Sequence, residues 1–163
     1  MKTLLILRHA KSSWSQPGAR DYDRPLNQRG KRDAPRMGAM ILERGLIPQL
    51  ILSSSAKRAR KTAAKFAKAC EYDGEVRHID DFYLAPPEAY INALRQLDDQ
   101  VACAMVVGHN PGVEDLVKEL TGNDEVMPTA ALGHIQIYID RWSEIAVNGS
   151  AKLVELWRPS ELT

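Results

Sequence analysis

No apolar stretch in this chain approaches the roughly 20 residues needed to cross a bilayer; the longest apolar run, Val101 to Val107, ends after seven. The amino terminus, Met1-Lys2-Thr3-Leu4, carries no signal-peptide pattern, because its aliphatic run stops at Arg8-His9. A cytoplasmic location is therefore expected, with no membrane partner. Cysteine is scarce. Cys70 and Cys103 make neither a disulfide framework nor a zinc spacing, and each sits among alanines and aliphatics as a small core residue. The Asn148-Gly149-Ser150 triplet then reads as a turn rather than a glycosylation site. Neither sign of charge dominates: 22 basic against 21 acidic side chains leave a net charge of +1. That balance argues against a polybasic nucleic-acid binder and against an acidic tail. Internal repeats, linkers and low-complexity segments are also missing, so one domain spanning 1–163 is expected, large enough for a three-layer core.

What is present is a series of short apolar runs that end in polar residues. Leu4-Leu5-Ile6-Leu7 reads as a buried strand closed by Arg8-His9. Burying a guanidinium and an imidazole side by side is costly, and in open α/β sheets the carboxyl ends of the strands are where ligands bind. The alternative is a pair that merely caps nearby carbonyls. Lys11 to Pro25 is too long for a tight connection and reads as a lid loop. A helix follows from an Asn27 N-cap to Arg44, with Gly45 at its end. Leu50-Ile51-Leu52 is a second strand, and Ser53-Ser54-Ser55 are placed to cap a helix over 56–70. That helix opens with Lys57, Arg58, Arg60 and Lys61, cations set against its own dipole.

Val76 to Ile79 alternates as a third strand, in which His78 reads as a partly buried structural residue. Pro86-Pro87-Glu88 opens a helix to about Leu97. Val101 to Val107 is the expected central strand and ends in Gly108-His109-Asn110-Pro111-Gly112, with Asn110 as N-cap and Pro111 at N1 of a helix closed by Thr121-Gly122. His134–Ile139 and Ala151–Trp157 alternate as an antiparallel pair joined by a tight turn near Asn148-Gly149. The order β-α-β-α-β-α-β-α-β-β predicts a three-layer α/β/α sandwich, with a mostly parallel sheet of about six strands and an antiparallel edge.

Three segments taken together are far more specific than any one of them. Arg8-His9-Ala10, then Ser54-Ser55-Ala56-Lys57-Arg58-Ala59 through Thr62, then Val107-Gly108-His109 resemble the successive motifs of the histidine phosphatase superfamily, with a phosphoglycerate mutase-like fold. Arg8-His9-Ala10-Lys11-Ser12, Asp23-Arg24-Pro25-Leu26, Phe82-Tyr83-Leu84-Ala85 and Gly108-His109-Asn110-Pro111-Gly112 resemble its SixA-type phosphohistidine phosphatase branch more narrowly. The resemblance implies that His9 is the nucleophile that takes the phosphoryl group, with Arg8, Arg58 and His109 around the phosphate oxygens. It favours Arg58 over Arg60. It also makes Glu88 the candidate proton donor by position, although a first-turn glutamate equally complements its helix dipole.

Phosphoryl transfer asks for these residue types, an in-line nucleophile and positive donors around the equatorial oxygens. Flanking arginines are expected to lower the pKa of His9 and keep it neutral. No metal or other cofactor is expected, since cationic side chains supply the charge. His134 reads as structural, while Asp23 and Arg24 are candidates for holding the lid. The expected partner is a phosphohistidine-bearing protein in signalling or phosphotransfer; a phosphatase of small phosphate esters or nucleotides is the alternative, and a non-catalytic phosphate-binding module a third reading. A strong acid matters less for the first, because imidazole leaves more easily than an alkoxide, and the branch the chain resembles is known for lacking a clear one.

Overall fold

Strand β1 (Lys2–Arg8) is paired on both sides in the computed structural model, which describes residues 1–162. Leu4 and Ile6 point into one core and Leu5 and Leu7 into another, each with no exposed surface, so the run of aliphatics is the signature of a strand covered on both faces. The remaining elements are α1 (Gln28–Glu43), β2 (Leu50–Ser54), α2 (Lys57–Ala69), β3 (Val76–Ile79), α3 (Pro87–Arg95), β4 (Cys103–Gly108), α4 (Gly112–Thr121), β5 (Leu132–Ile137) and β6 (Lys152–Trp157). The sheet order is β3-β2-β4-β1-β5-β6, parallel from β3 to β1 and antiparallel where β5 joins β1 and β6 joins β5. Helices α1 and α2 cover one face with Met37, Ile41 and Phe66; α3 and α4 cover the other with Tyr90, Leu94 and Leu116. This is the expected three-layer α/β/α sandwich.

The strand order explains where a ligand can sit. From β1 the chain moves over one face to β2 and on to β3. It returns over the other face to β4, inserted between β2 and β1. The direction of winding therefore reverses at β1 and β4, and their carboxyl ends part to open a crevice. In that register Arg8 lies beside Gly108, and Ser53 lies beside Val107.

Several local expectations change. Helix α1 is capped as expected, with Asn27 Oδ1 accepting from the Gly30 amide at 2.9 Å and Gly45 in the left-handed region at φ 66°. Asn110 is not an N-cap, since its Nδ2 donates instead to Glu114 Oε2 at 2.8 Å and to the Met127 carbonyl at 3.1 Å. The three serines do not cap α2 from its N-cap position, which is Ala56; Ser54 Oγ only accepts from the Ala56 amide at 3.2 Å. His78 is exposed rather than partly buried, because β3 is the edge strand. Cys70 is buried, whereas Cys103 is only half-buried at the start of β4. The connection between β5 and β6 is no tight turn: it drives Trp142 fully into the core, its Nε1 donating to the Val101 carbonyl at 2.8 Å. No helix among the described residues is long and apolar enough to cross a membrane.

Close approach of α1 to α2 rests on Gly38, where a Cβ would collide with the Phe66 carbonyl and come within 2.9 Å of the Ala69 Cβ. Alanine favours helix by about 1 kcal/mol, but overpacking against a rigid backbone costs about 1–3 kcal/mol. Gly38→Ala should therefore lower Tm in a calorimetric scan. An unchanged or raised Tm would show that the α1–α2 seam is slack.

Candidate active site

The crevice at the ends of β1, β2 and β4 holds a cavity of about 260 Å³, lined by Arg8, His9, Arg58 and His109 at its floor and by Lys11, Trp14, Arg24, Leu84 and Thr129 around its mouth. His9 follows β1 directly. Its amide donates to the Gly108 carbonyl at 3.0 Å, and its carbonyl accepts from the Ala130 amide at 3.1 Å, so the end of β4 and the loop leading into β5 fix its backbone. Thr62, one turn beyond Arg58 on α2, accepts from the Ala10 amide at 2.9 Å and donates to the Arg58 carbonyl at 2.7 Å. That hydroxyl ties the His9 loop to the helix carrying Arg58, which gives the motif threonine a physical reason.

His9 is 7% exposed, and its Nδ1 lies 2.8 Å from the Ala10 carbonyl oxygen. A carbonyl can only accept, so Nδ1 carries the proton and Nε2 keeps its lone pair. Burial pushes the His9 pKa down to about 3, helped by His109, Arg58 and Arg8 and opposed by the Ala10 bond. The arginines lower the pKa as expected, but desolvation does most of it, because a dry site penalises the imidazolium directly. The His109 ring stands 5.1 Å from that of His9, and burial followed by Arg58 lowers its pKa to about 4. His109 Nε2 meets Ser54 Oγ at 2.8 Å. Ser54 Oγ also accepts from the Ala56 amide, so one hydroxyl joins the start of α2 to the His109 ring.

A buried polar atom without a partner calls for an explanation, and a ligand yet to bind is one. Among the described residues such atoms include His109 Nδ1 and Arg8 Nε, both on residues lining the cavity. Arg8 is oriented by its Nη1, which donates to the Met127 carbonyl at 2.9 Å; Glu114 in turn holds the Met127 amide at 2.7 Å. Two guanidinium groups, the unpartnered Nδ1 of His109 and a ring lone pair of His9 therefore converge on one small space. Such a space suits a tetrahedral oxyanion beside a nucleophilic nitrogen.

Sequence reasoning missed Asp21. It sits in a 3-10 turn (Asp21–Asp23) of the loop between β1 and α1, accepts from Arg58 Nη2 at 2.9 Å and from Arg24 Nη1 at 3.0 Å, and accepts the Tyr83 hydroxyl as well. Partial burial alone would raise its pKa, but Tyr83, Arg24 and Arg58 together hold the carboxyl far below the usual range. The sequence offers two i,i+3 pairs in this loop, Arg20–Asp23 and Asp21–Arg24, and both form. Only the tertiary contact to Arg58 distinguishes them. Asp23 pairs with exposed Arg20, so of the two suggested lid residues Arg24 alone reaches the cavity.

Glu88 is not brought to the site. It is exposed on α3 and lines a separate depression with Asn92, Arg95 and Glu119. Its position in the first helical turn accounts for it without catalysis. Arg60 points away as well, its Nε donating to the Ser55 carbonyl at 2.7 Å. His134 stacks on Trp157 within β5–β6 and does not line the cavity.

Comparison with known proteins agrees with this geometry. Residues 4–82 match the model of the histidine phosphatase superfamily (branch 1). A chloroplastic protein of Arabidopsis thaliana is 31% identical over 152 residues, covering 88% of this chain and 70% of that one. The crystal structure of Agrobacterium tumefaciens SixA, named as a phosphohistidine phosphatase, superposes with a TM-score of 0.83 at 30% identity, over 97% of this chain and 98% of the other. A further SixA structure, complexed with tungstate, shares the fold with a TM-score of 0.85 at 20% identity, covering 99% of each chain. The chain belongs to the histidine phosphatase superfamily, in its SixA-type branch, and is a phosphatase.

The two buried neutral histidines make stability depend on pH in a definite direction. Their folded pKa values of about 3 and about 4 lie below the ordinary value of about 6.5, so the unfolded chain binds more protons between these limits. Stability should be fully present above about pH 6.5 and fall as pH drops toward 4. His9→Asn should flatten part of that slope in Tm-versus-pH measurements. Equal slopes for variant and wild type would place His9 in water.

Proposed function

We propose that the protein hydrolyses phosphohistidine, with His9 as the nucleophile and Arg8, Arg58 and His109 as the phosphate clamp. The observation that carries this reading is the commitment of His9 Nδ1–H to the Ala10 carbonyl, which leaves a desolvated Nε2 lone pair beside two arginines. Nε2 attacks phosphorus while the bond from phosphorus to the substrate ring nitrogen breaks. The electron pair stays on the substrate imidazole, which leaves neutral when its second nitrogen is protonated. Phosphorylated His9 then carries its positive charge on a ring whose Nδ1–H is already hydrogen-bonded. Water attacks phosphorus in the second step, its proton passes to the phosphate product, and the pair returns to Nε2. The donors from Arg8, Arg58 and His109 meet the equatorial oxygens in both steps.

The choice of an N–P over an O–P bond rests on the acids near the site. An alkoxide leaving group requires a proton donor. The carboxyl bound to the phosphate-clamping Arg58 is Asp21, which is held ionised and acts as a base-side anchor for the guanidinium. Glu88 lines another depression. Phosphohistidine brings its own proton on the departing ring, so the arrangement suits it. The names of the SixA relatives point the same way.

Three results test the assignment together. With a phosphohistidine substrate, His9→Ala should lose turnover by about a thousandfold or more, and only wild type should retain acid-labile label from a ³²P-labelled substrate. Arg58→Ala should cost about a hundredfold, as removal of one preorganised donor does. Glu88→Gln should remain within about twofold of wild type, as expected for a surface residue. Label on the His9 variant, or fast turnover of sugar phosphates beside inertness toward phosphohistidine, would reverse the proposal.

A further inference from the structure

One wall of the cavity carries a hydrogen-bond acceptor where phosphate binding calls for donors. Asn110, just beyond β4 and next to His109, lines the cavity with Arg8, His9 and Arg58. Its carboxamide is held at one end only. Nδ2 donates to Glu114 Oε2 at 2.8 Å and to the Met127 carbonyl at 3.1 Å. A carboxylate and a carbonyl can only accept, so the nitrogen faces them and Oδ1 is the free end. Among the described residues that oxygen is buried and accepts no hydrogen bond.

That orientation is built into the surroundings of the site. Glu114 Oε2 also accepts from the Met127 amide at 2.7 Å, and the Met127 carbonyl also accepts from Arg8 Nη1 at 2.9 Å. Asn110 and Arg8 therefore share one support, and the carboxamide cannot turn over without setting its oxygen against two acceptors. Leaving a buried acceptor without a donor costs stability, which an apolar side chain at this position would avoid. The donor that Oδ1 lacks within the protein is one that arrives with the reaction.

The groups that enter the site differ in what they can donate. An ionised phosphoryl group offers only acceptor oxygens. It satisfies Arg8 Nε, another unpartnered atom of this cavity, but not a carboxamide oxygen. The nitrogen that leaves phosphorus carries no hydrogen while it is bonded there. Its ring can donate only from the second nitrogen, on the side toward the mouth, whereas Asn110 shares its support with Arg8 at the floor. Water brings two O–H groups. Building on the function proposed above, we propose that Asn110 Oδ1 orients the water that hydrolyses phosphorylated His9, and so serves the second step of the reaction alone. One O–H of that water donates to Oδ1, which turns an oxygen lone pair toward phosphorus. The O–P bond forms as the bond from phosphorus to Nε2 breaks, and the electron pair returns to His9. The other water proton passes to a phosphoryl oxygen. An amide oxygen is too weak a base to take a proton, so Asn110 aims the water and leaves the proton transfer to the phosphate.

Rapid-quench kinetics with ³²P-labelled N-phosphohistidine separate the two steps: formation of acid-labile enzyme label reports the first, and its decay the second. Asn110→Ala removes the acceptor, and Asn110→Leu removes it while filling the space. In both variants decay should slow by about tenfold or more relative to formation, the scale of misplacing a reacting group. Label should then accumulate in the steady state while kcat falls. A merely structural role slows both steps together, because Arg8 meets the phosphoryl oxygens in each. Both rates are read on the same folded enzyme, so partial unfolding lowers the amplitude and not their ratio. An unchanged ratio, or a loss confined to formation, would overturn the role of Asn110 while leaving phosphohistidine hydrolysis by His9 intact. Wild type that turns the substrate over without label, or leaves it untouched, would instead defeat the underlying function, and the water-orienting role with it.

Discussion

Desolvation of His9 is the constraint on which the rest of the site depends. An imidazole 7% exposed between two strand ends is far more stable neutral than charged. The Ala10 carbonyl then selects which nitrogen keeps its proton. Protonation state, tautomer and direction of the lone pair all follow from burial plus one hydrogen bond. Guanidinium groups placed close by reinforce this choice and add what the imidazole lacks, fixed positive charge for an anion. Had His9 stood in water, the same arginines would have been screened and the ring would titrate near neutrality.

Placing two arginines in so small a space needs a counter-charge when no anion is bound. Asp21 supplies it, joining Arg58 to Arg24 and fastening both to Tyr83. One carboxylate thereby links the β1–α1 loop, α2 and the turn before α3. The same contacts keep Asp21 ionised, so the group that organises the cations is removed from acid catalysis. This links the electrostatics of the site to the kind of leaving group it suits. It also couples the floor to the rim, since Arg24 carries Trp14 and Tyr83 precedes Leu84.

The parts of the fold visible in the sequence share a local cause. Leu4 to Leu7 and Ala104 to Val107 are buried on both faces, and only a strand in the middle of a layered sheet produces uninterrupted aliphatic runs of that length. Asn27 and Gly45 bound α1 because capping depends on a few adjacent residues. Where expectation and structure part, a distant residue intervenes. Asn110 is diverted from capping by Glu114 and Met127, and Ser54 is shared between Ala56 and His109. The connection after β5 carries Trp142 into the core, where the distant Val101 carbonyl accepts from its indole N–H.

The sequence by itself determined the layered α/β class, the order of its elements and the candidacy of Arg8, His9, Arg58 and His109, because strand ends and motif order are properties of short segments. Tertiary structure decided the rest. It turned Arg58, which the motif resemblance already favoured, into the crevice and Arg60 away from it, and it set Glu88 aside on another surface. It brought in Asp21, which no local pattern separates from Asp23, and it made burial rather than neighbouring charge the chief reason that His9 is neutral. Burial, long-range ion pairs and the direction of a side chain arise only when segments far apart in the chain are packed together, and for that reason no reading of adjacent residues contains them.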